Sequence, residues 1–331
     1  MQKTTRIHYL DALRVVGMFA VMVVHLSATG HKTAAAGTGE WIICWCYDFL
    51  SRFAVPVFVM ISGALFLDPD RNISLRGLVK KHILRLAVVF LGWSAVYACT
   101  QSLLEYPFLS EEYLTSVVQK TVTGHYHMWY LHLIMGLYTV TPLLRPAAAN
   151  RKLLKLLILL AFALSYGLQL LSHLPVVASA NIRLLVGYAG YYCLGYYLHS
   201  TQISKKRVTF LCLGAAVLMT AVAAAGISAG ATQTVFQENM PHILLYSAAV
   251  FLAFKRHGAL FSRAAIEKLA ACSLGMYLVH PAANFVLNRL GLRALTFWPL
   301  LCVPLCAITV FAISFTVVRI MKKSPLLKWF V

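Results

Sequence analysis

The chain has 331 residues, of which 60% are hydrophobic and 12% charged, where an ordinary soluble domain carries about 25% charged residues. Its 29 Lys and Arg against 10 Asp and Glu give a formal net charge of +19, with a mean hydropathy of +0.75. These figures exclude a disordered chain and a water-soluble domain. They also argue against a nucleic-acid partner, because the basic residues punctuate apolar runs instead of lining one polar face.

What remains is an all-α polytopic membrane protein. A bilayer core takes about 20 apolar residues per helix, and about ten segments qualify, at approximately 9–29, 41–67, 83–103, 126–144, 153–170, 182–198, 208–227, 242–254, 266–287 and 297–320. The first follows Lys3 and Arg6, carries Asp11 and Arg14, and lacks a small-residue cleavage site, so it is expected to stay as a span and not to be removed as a signal peptide. The second contains Pro56 and is expected to kink or break there. Pro142 and Pro146 are expected to end the fourth. Eight cysteines fall in or beside apolar segments. They include no paired CxxC array and read as buried filler, so no metal site is expected.

Loop cations give the orientation. With both termini in the cytoplasm, 21 Lys and Arg lie in inside segments, against Lys32, Lys120, Arg289 and Arg293 outside, as the positive-inside rule requires. The longest polar stretch, roughly 104–125, is too short to build its own core. Residues 1–331 are therefore read as one membrane-embedded domain, in contact with lipid and lying in the cytoplasmic (plasma) membrane. The sequence does not give an oligomeric state.

Charged and polar side chains inside these spans are the functional candidates, since each costs about 2.5–3.5 kcal/mol at the bilayer centre. Arg14 and His25 are eleven residues apart, about 16 Å of rise and three turns plus about 20°, so they share one helix face. Asp11 sits one turn before Arg14. Snorkelling of Arg14 and an interhelical hydrogen bond from His25 would explain the same residues without function. Asp48 and Arg52, at i and i+4, are placed to pair at the depth of His25, either as packing or as a site wall. His125, His127, Trp129, Tyr130 and His132 open the fourth span at a similar depth. Ser273, Tyr277 and His280 lie on one face of the ninth, where Pro281 is expected to break the helix. At the inner ends, Arg71, Arg76, Lys80, Lys81, Arg85 and Arg145 cluster. Topology and anionic lipid explain most of them, but Arg85 lies within an apolar run and suits a polyanionic ligand.

Several of these segments resemble the acyltransferase-3 family of integral-membrane O-acyltransferases. "YLDALRVVGMFAVMVVH" is similar to the family's first span, which is marked by Arg or Lys, ten residues, then His. "FAVPVFVMISGALFL" (53–67), "KKHILRLAVVF" (80–90), "HMWYLHLIMGLYTVTPLLRP" (127–146) and "CSLGMYLVHP" (272–281) resemble further segments in the family's order. Residues 150–265 carry no such motif. The chain is similar to a stand-alone member, without the hydrolase-like domain that some members carry.

The resemblance implies transfer of an acyl group, typically acetyl, from cytoplasmic acyl-CoA (acetyl-CoA) to a hydroxyl of a cell-surface carbohydrate or similar envelope precursor. On that reading Arg14, Arg71, Arg76, Lys81, Arg85 and Arg145 would hold the donor. His25 would act as general base, or as a nucleophile that carries the acyl group. Asp48 would orient it, and His127, Trp129 and Tyr277 are candidate oxyanion donors beside His280. A transporter or flippase of a lipid-linked sugar or small solute would also need intramembrane charges and broken helices. A purely structural subunit would not need three intramembrane histidines.

Overall fold

The structure, a computed structural model, describes residues 6–71, 73–171, 182–231, 235–261 and 263–331; Lys3 lies outside them. Each expected apolar segment is helical, and no strand occurs among the described residues. In chain order the helices are α1 (His8–Thr33), α2 (Gly39–Ser51), α3 (Ala54–Phe66), α4 (Leu75–Leu78), α5 (Leu84–Glu105), α6 (Glu111–Thr123), α7 (Trp129–Ala149), α8 (Arg151–Leu170), α9 (Ile182–Ser200), α10 (Lys205–Ser228), α11 (Pro241–Arg256), α12 (Ala264–Ala270), α13 (Ser273–Arg289) and α14 (Pro299–Met321).

Six of these units are long and apolar enough to cross a bilayer: α1, α2–α3 together, Leu75–Glu105, α8, α10 and α14. The bent pair α12–α13 is a seventh candidate. This falls short of the ten expected. α11 has only 16 residues, and α7 and α9 dilute their apolar character with Trp, Tyr, His and two prolines. Such helices suit a polar interior better than lipid. The chain is thus an all-α, multi-pass membrane protein.

α1 is the centre of the packing and touches α2, α3, α12, α13 and α14. Its Leu13, Met18 and Met22 are buried with Val57 and Met60 of α3 and Cys302 and Val303 of α14. α8 and α10 turn Leu159, Leu160, Phe210 and Val217 outward, as lipid-facing helices do. Against α3 lies α9, at a crossing made by glycine. A Cβ at Gly63 would overlap the Tyr192 carbonyl, and one at Gly195 would overlap the Met60 carbonyl. Only glycine allows two backbones so close.

The prolines divide. The second span does break, at Arg52–Phe53, where the Arg52 carbonyl lacks its helical donor because Pro56, four residues on, has no N–H. Pro142 and Pro146, expected to end α7, instead lie inside it, and the helix runs on to Ala149. Pro281 also sits within α13. The sharp bend, 66°, falls between α12 and α13 near Ala271–Cys272.

Two cations of the inside segments, Arg145, expected to hold the donor, and Lys255, counted for topology, are used on the backbone. Arg145 donates to the carbonyls of Asp68 (2.8 Å), Pro69 (3.2 Å) and Ile73 (3.2 Å), and to that of Arg71. Lys255 donates to Leu198, His199 and Thr201 at 2.7–2.9 Å, closing the end of α9. The polar stretch 104–125 forms the amphipathic α6, tied to α5 by Ser102–Ser116 (2.9 Å) and Lys120–Glu105 (2.6 Å). α6 ends at Gly124, whose φ of 79° only glycine tolerates comfortably. That turn sends the chain directly into His125–His127.

Candidate active site

The site is built on α1. At its first turns Asp11, buried, accepts from Arg14 (2.7 Å) and from Arg6 (2.6 Å). The carboxylate holds two guanidiniums, and Arg6 is also engaged by the Glu267 carbonyl (2.9 Å) and carboxylate (3.4 Å). Arg6 was not singled out by spacing because it precedes the helix. Three turns further on, the half-buried His25 ring lies on the same face.

Two elements, α13 and the segment before α7, bring imidazoles to His25. Its ring centroid is 5.1 Å from that of His280 on α13 and 5.4 Å from that of Tyr126. His127 lies 5.4 Å from His280, and its Nδ1 is 2.8 Å from Nδ1 of His125. The histidines read separately along the sequence therefore form one cluster. His127 and His280 are buried, and the Nε2 atom of each is buried without a hydrogen-bond partner. Orphaned polar atoms of this kind are uncommon in packed interiors, and here two of them lie in one cluster.

The His280-Pro281 dipeptide fixes one of these rings. Pro281 has no N–H, so the Tyr277 carbonyl four residues earlier lacks its helical donor. His280 Nδ1 lies 2.7 Å from that oxygen and replaces it. A carbonyl only accepts, so Nδ1 carries the proton and Nε2 turns a lone pair toward the cluster. His280→Ala is expected to cost about 1–3 kcal/mol by leaving the carbonyl unpaired. Adding Pro281→Ala should recover most of that stability by restoring the backbone N–H, without restoring activity. Thermal unfolding in detergent and a transfer assay read the two separately; recovery of activity as well would make His280 a structural residue alone.

Two adjoining cavities lead from the cations toward the cluster. One, about 370 Å³, lies among Arg6, Asp11, Arg14, Leu65 and Arg71. The other, about 210 Å³, shares Arg14 and Leu65 and runs past Ser62 and Tyr130 to Tyr277. The Tyr277 ring is 5.3 Å from His127 and 5.9 Å from His280. The two cavities thus have arginines at one end, a largely apolar bore, and at the other end Tyr277, which packs against the histidines. Tyr130 and Ser62 belong to this passage through the fold; only their place beside His127 and Gly63 hinted at it.

Other expected residues are placed differently. Asp48 does not hydrogen-bond His25. It holds Arg52 with both oxygens (2.7 and 2.8 Å) and His31 at 2.9 Å, because Arg52 is one turn away on its own helix. The Tyr277 hydroxyl donates to the His127 backbone carbonyl, so it is committed to packing and not free for an oxyanion. Trp129 is exposed and lies against Tyr188. Arg145 is consumed by the 68–73 loop, which it braces so that Arg71 reaches the mouth. Arg85 donates to the Val331 carbonyl at 3.2 Å. Arg76 and Lys81 are exposed and line neither cavity. Of the six expected donor ligands, Arg14 and Arg71 face the passage.

Comparison with known proteins adds one finding. The family model described as "Acyltransferase domain" matches residues 7–319, nearly the whole chain. No curated protein and no solved structure matches. Members of this family are acyltransferases moving groups other than aminoacyl groups. Sequence motifs, an all-helical membrane architecture and the extent of the match agree: the chain belongs to the acyltransferase-3 family and is a membrane acyltransferase.

Proposed function

We propose that the chain transfers an acyl group, acetyl in the first instance, from cytoplasmic acyl-CoA to a hydroxyl of a cell-surface carbohydrate or related envelope precursor. It would sit in the plasma membrane with about ten crossings and both termini inside. α7, α9, α11 and α13 would then cross as polar inner helices shielded by their neighbours. The observation that carries the reading is the passage from Arg6, Arg14 and Arg71 to the histidine cluster. Its cationic mouth suits the phosphates of coenzyme A, and its narrow apolar bore suits a pantetheine arm.

In this reading His25 accepts the proton of the acceptor hydroxyl as its oxygen attacks the thioester carbonyl. The new C–O bond forms, the C–S bond breaks, and the proton passes from His25 to the departing thiolate. Ester and free CoA thiol are the products. Arg14, fixed by Asp11, positions the donor. Arg76, Lys81 and Arg85 would contribute only to the field that draws a polyanion to this end.

Acetyl-CoA binding to the purified chain, measured by calorimetry, tests the donor. Binding is expected, and Arg14→Gln should weaken it by about tenfold or more through loss of a charge-assisted contact. Folded protein that does not bind acetyl-CoA would overturn the proposal and favour a transporter of a lipid-linked sugar.

A further inference from the structure

A second polar cavity lies beyond His25, on the side away from the cationic mouth. It measures about 500 Å³ and is walled by the end of α1 (Ala28, His31), α2 (Asp48), Arg52 and the segment Phe236–Glu238. Ala28 is three residues past His25, about 4.5 Å along the helix. The cavity thus opens about one turn past the imidazole along α1.

Its walls are a connected network. His31 and Arg52 both bind Asp48, Arg52 reaches Glu238 at 3.8 Å, and the Arg52 guanidinium lies 4.8 Å from the centre of the Phe236 ring. Asp48 is fully buried. The Gln237 side-chain oxygen is buried without a hydrogen-bond partner among the described residues. The mouth is lined by Arg6, Arg14 and Arg71 with Asp11, and Glu267 and Asp68 pair with Arg6 (3.4 Å) and Arg71 (3.5 Å); in this second cavity Lys32 and Arg52 balance Asp48 and Glu238.

We infer that this vestibule is the acceptor site and that its ligand is a neutral polyhydroxyl compound of the carbohydrate class. A balanced set of carboxylates, guanidinium and amide both accepts from and donates to hydroxyls. It offers no net attraction to a phosphate or a free amine. Phe236 supplies an apolar wall for the C–H face of a sugar ring. Burial pushes the Glu238 carboxyl up from its ordinary range, which suits hydrogen bonding to a neutral partner.

The inference rests on the acyl-transfer reading, and the experiment separates the two. Membrane vesicles from the source cells, which carry their own acceptor, are opened and supplied with [14C]acetyl-CoA. Glu238→Gln should lower label transfer about tenfold or more, while purified Glu238→Gln binds acetyl-CoA within about twofold of wild type. Gln237→Ala, which breaks no bond of the Gln237 oxygen, repeats the test if Glu238→Gln fails to fold. The labelled product, released by mild hydrolysis that spares esters, should run in the neutral fraction on ion exchange. Undiminished transfer by the folded variants, or parallel loss of acetyl-CoA binding, overturns the vestibule as acceptor site. Label in an anionic or amine fraction overturns the ligand class. Wild-type vesicles that transfer no label overturn the acyl-transfer reading itself.

Discussion

Replacing His25 by alanine is expected to lower acyl transfer by about 10²–10⁴-fold, the contribution of a positioned general base, while leaving a folded protein. The ring is half-buried and touches other rings, Tyr126 and His280, at its periphery, so its removal disturbs little of the packing around α1. Acetyl-CoA affinity should stay near wild type, because the cations that draw the donor lie about 16 Å down the helix. Transfer of a radiolabelled acetyl group and calorimetric binding, measured on the same preparation, give both numbers. Purified His25→Ala that retains most of its transfer would remove His25 from the chemistry. Acid-quenched wild type distinguishes the routes: direct attack leaves the protein unlabelled, whereas label on the protein that is lost in His25→Ala would replace base catalysis by an acyl-imidazole.

The second large effect is expected at the α3–α9 crossing. A side chain at Gly63 or Gly195 meets a backbone carbonyl of the facing helix, and backbone cannot swing aside as a side chain can. Gly63→Val or Gly195→Val must therefore push the helices apart, at a cost above the about 1–3 kcal/mol of ordinary overpacking. The displacement would also carry Phe58 and Ser62 away from the passage they line. Gly136→Ala and Gly214→Ala serve as controls, since a Cβ at either meets nothing within 4 Å; in a helix interior alanine should be neutral or stabilising. Heated samples followed by size-exclusion chromatography in detergent report the result. A Gly63→Val protein as heat-resistant as wild type would show that the crossing tolerates separation.

The cluster explains why some histidines were legible in the sequence and others were not. Arg14 and His25 share one helix, and 3.6-residue periodicity alone puts them on one face. His127 and His280 could be flagged as costly in an apolar run, but their meeting with His25 depends on how α7 and α13 dock on α1. Local chemistry misled at Pro281. The missing N–H suggested a break, yet the adjacent histidine supplies the donor and the helix continues.

Cations show the same division. A count of Lys and Arg per loop reads orientation because it needs only position along the chain. It does not distinguish Arg14, which faces a cavity, from Arg145, which is spent on four carbonyls, since both lie at helix ends near the same surface. Asp48 was correctly paired with Arg52 from i, i+4 spacing, but His31 and Glu238, distant in sequence, complete the vestibule.

Composition, hydropathy and short-range spacing by themselves determined the environment, the helical class and the polar face of α1, because each depends on chain-local free energies of transfer and on helix geometry; the family was legible from the resemblance of whole motifs in order. Only the tertiary structure decided which helix faces are buried and which turn outward, which arginines line a cavity, and which imidazoles converge. Those outcomes depend on competition among distant groups for the same hydrogen bonds and the same buried space.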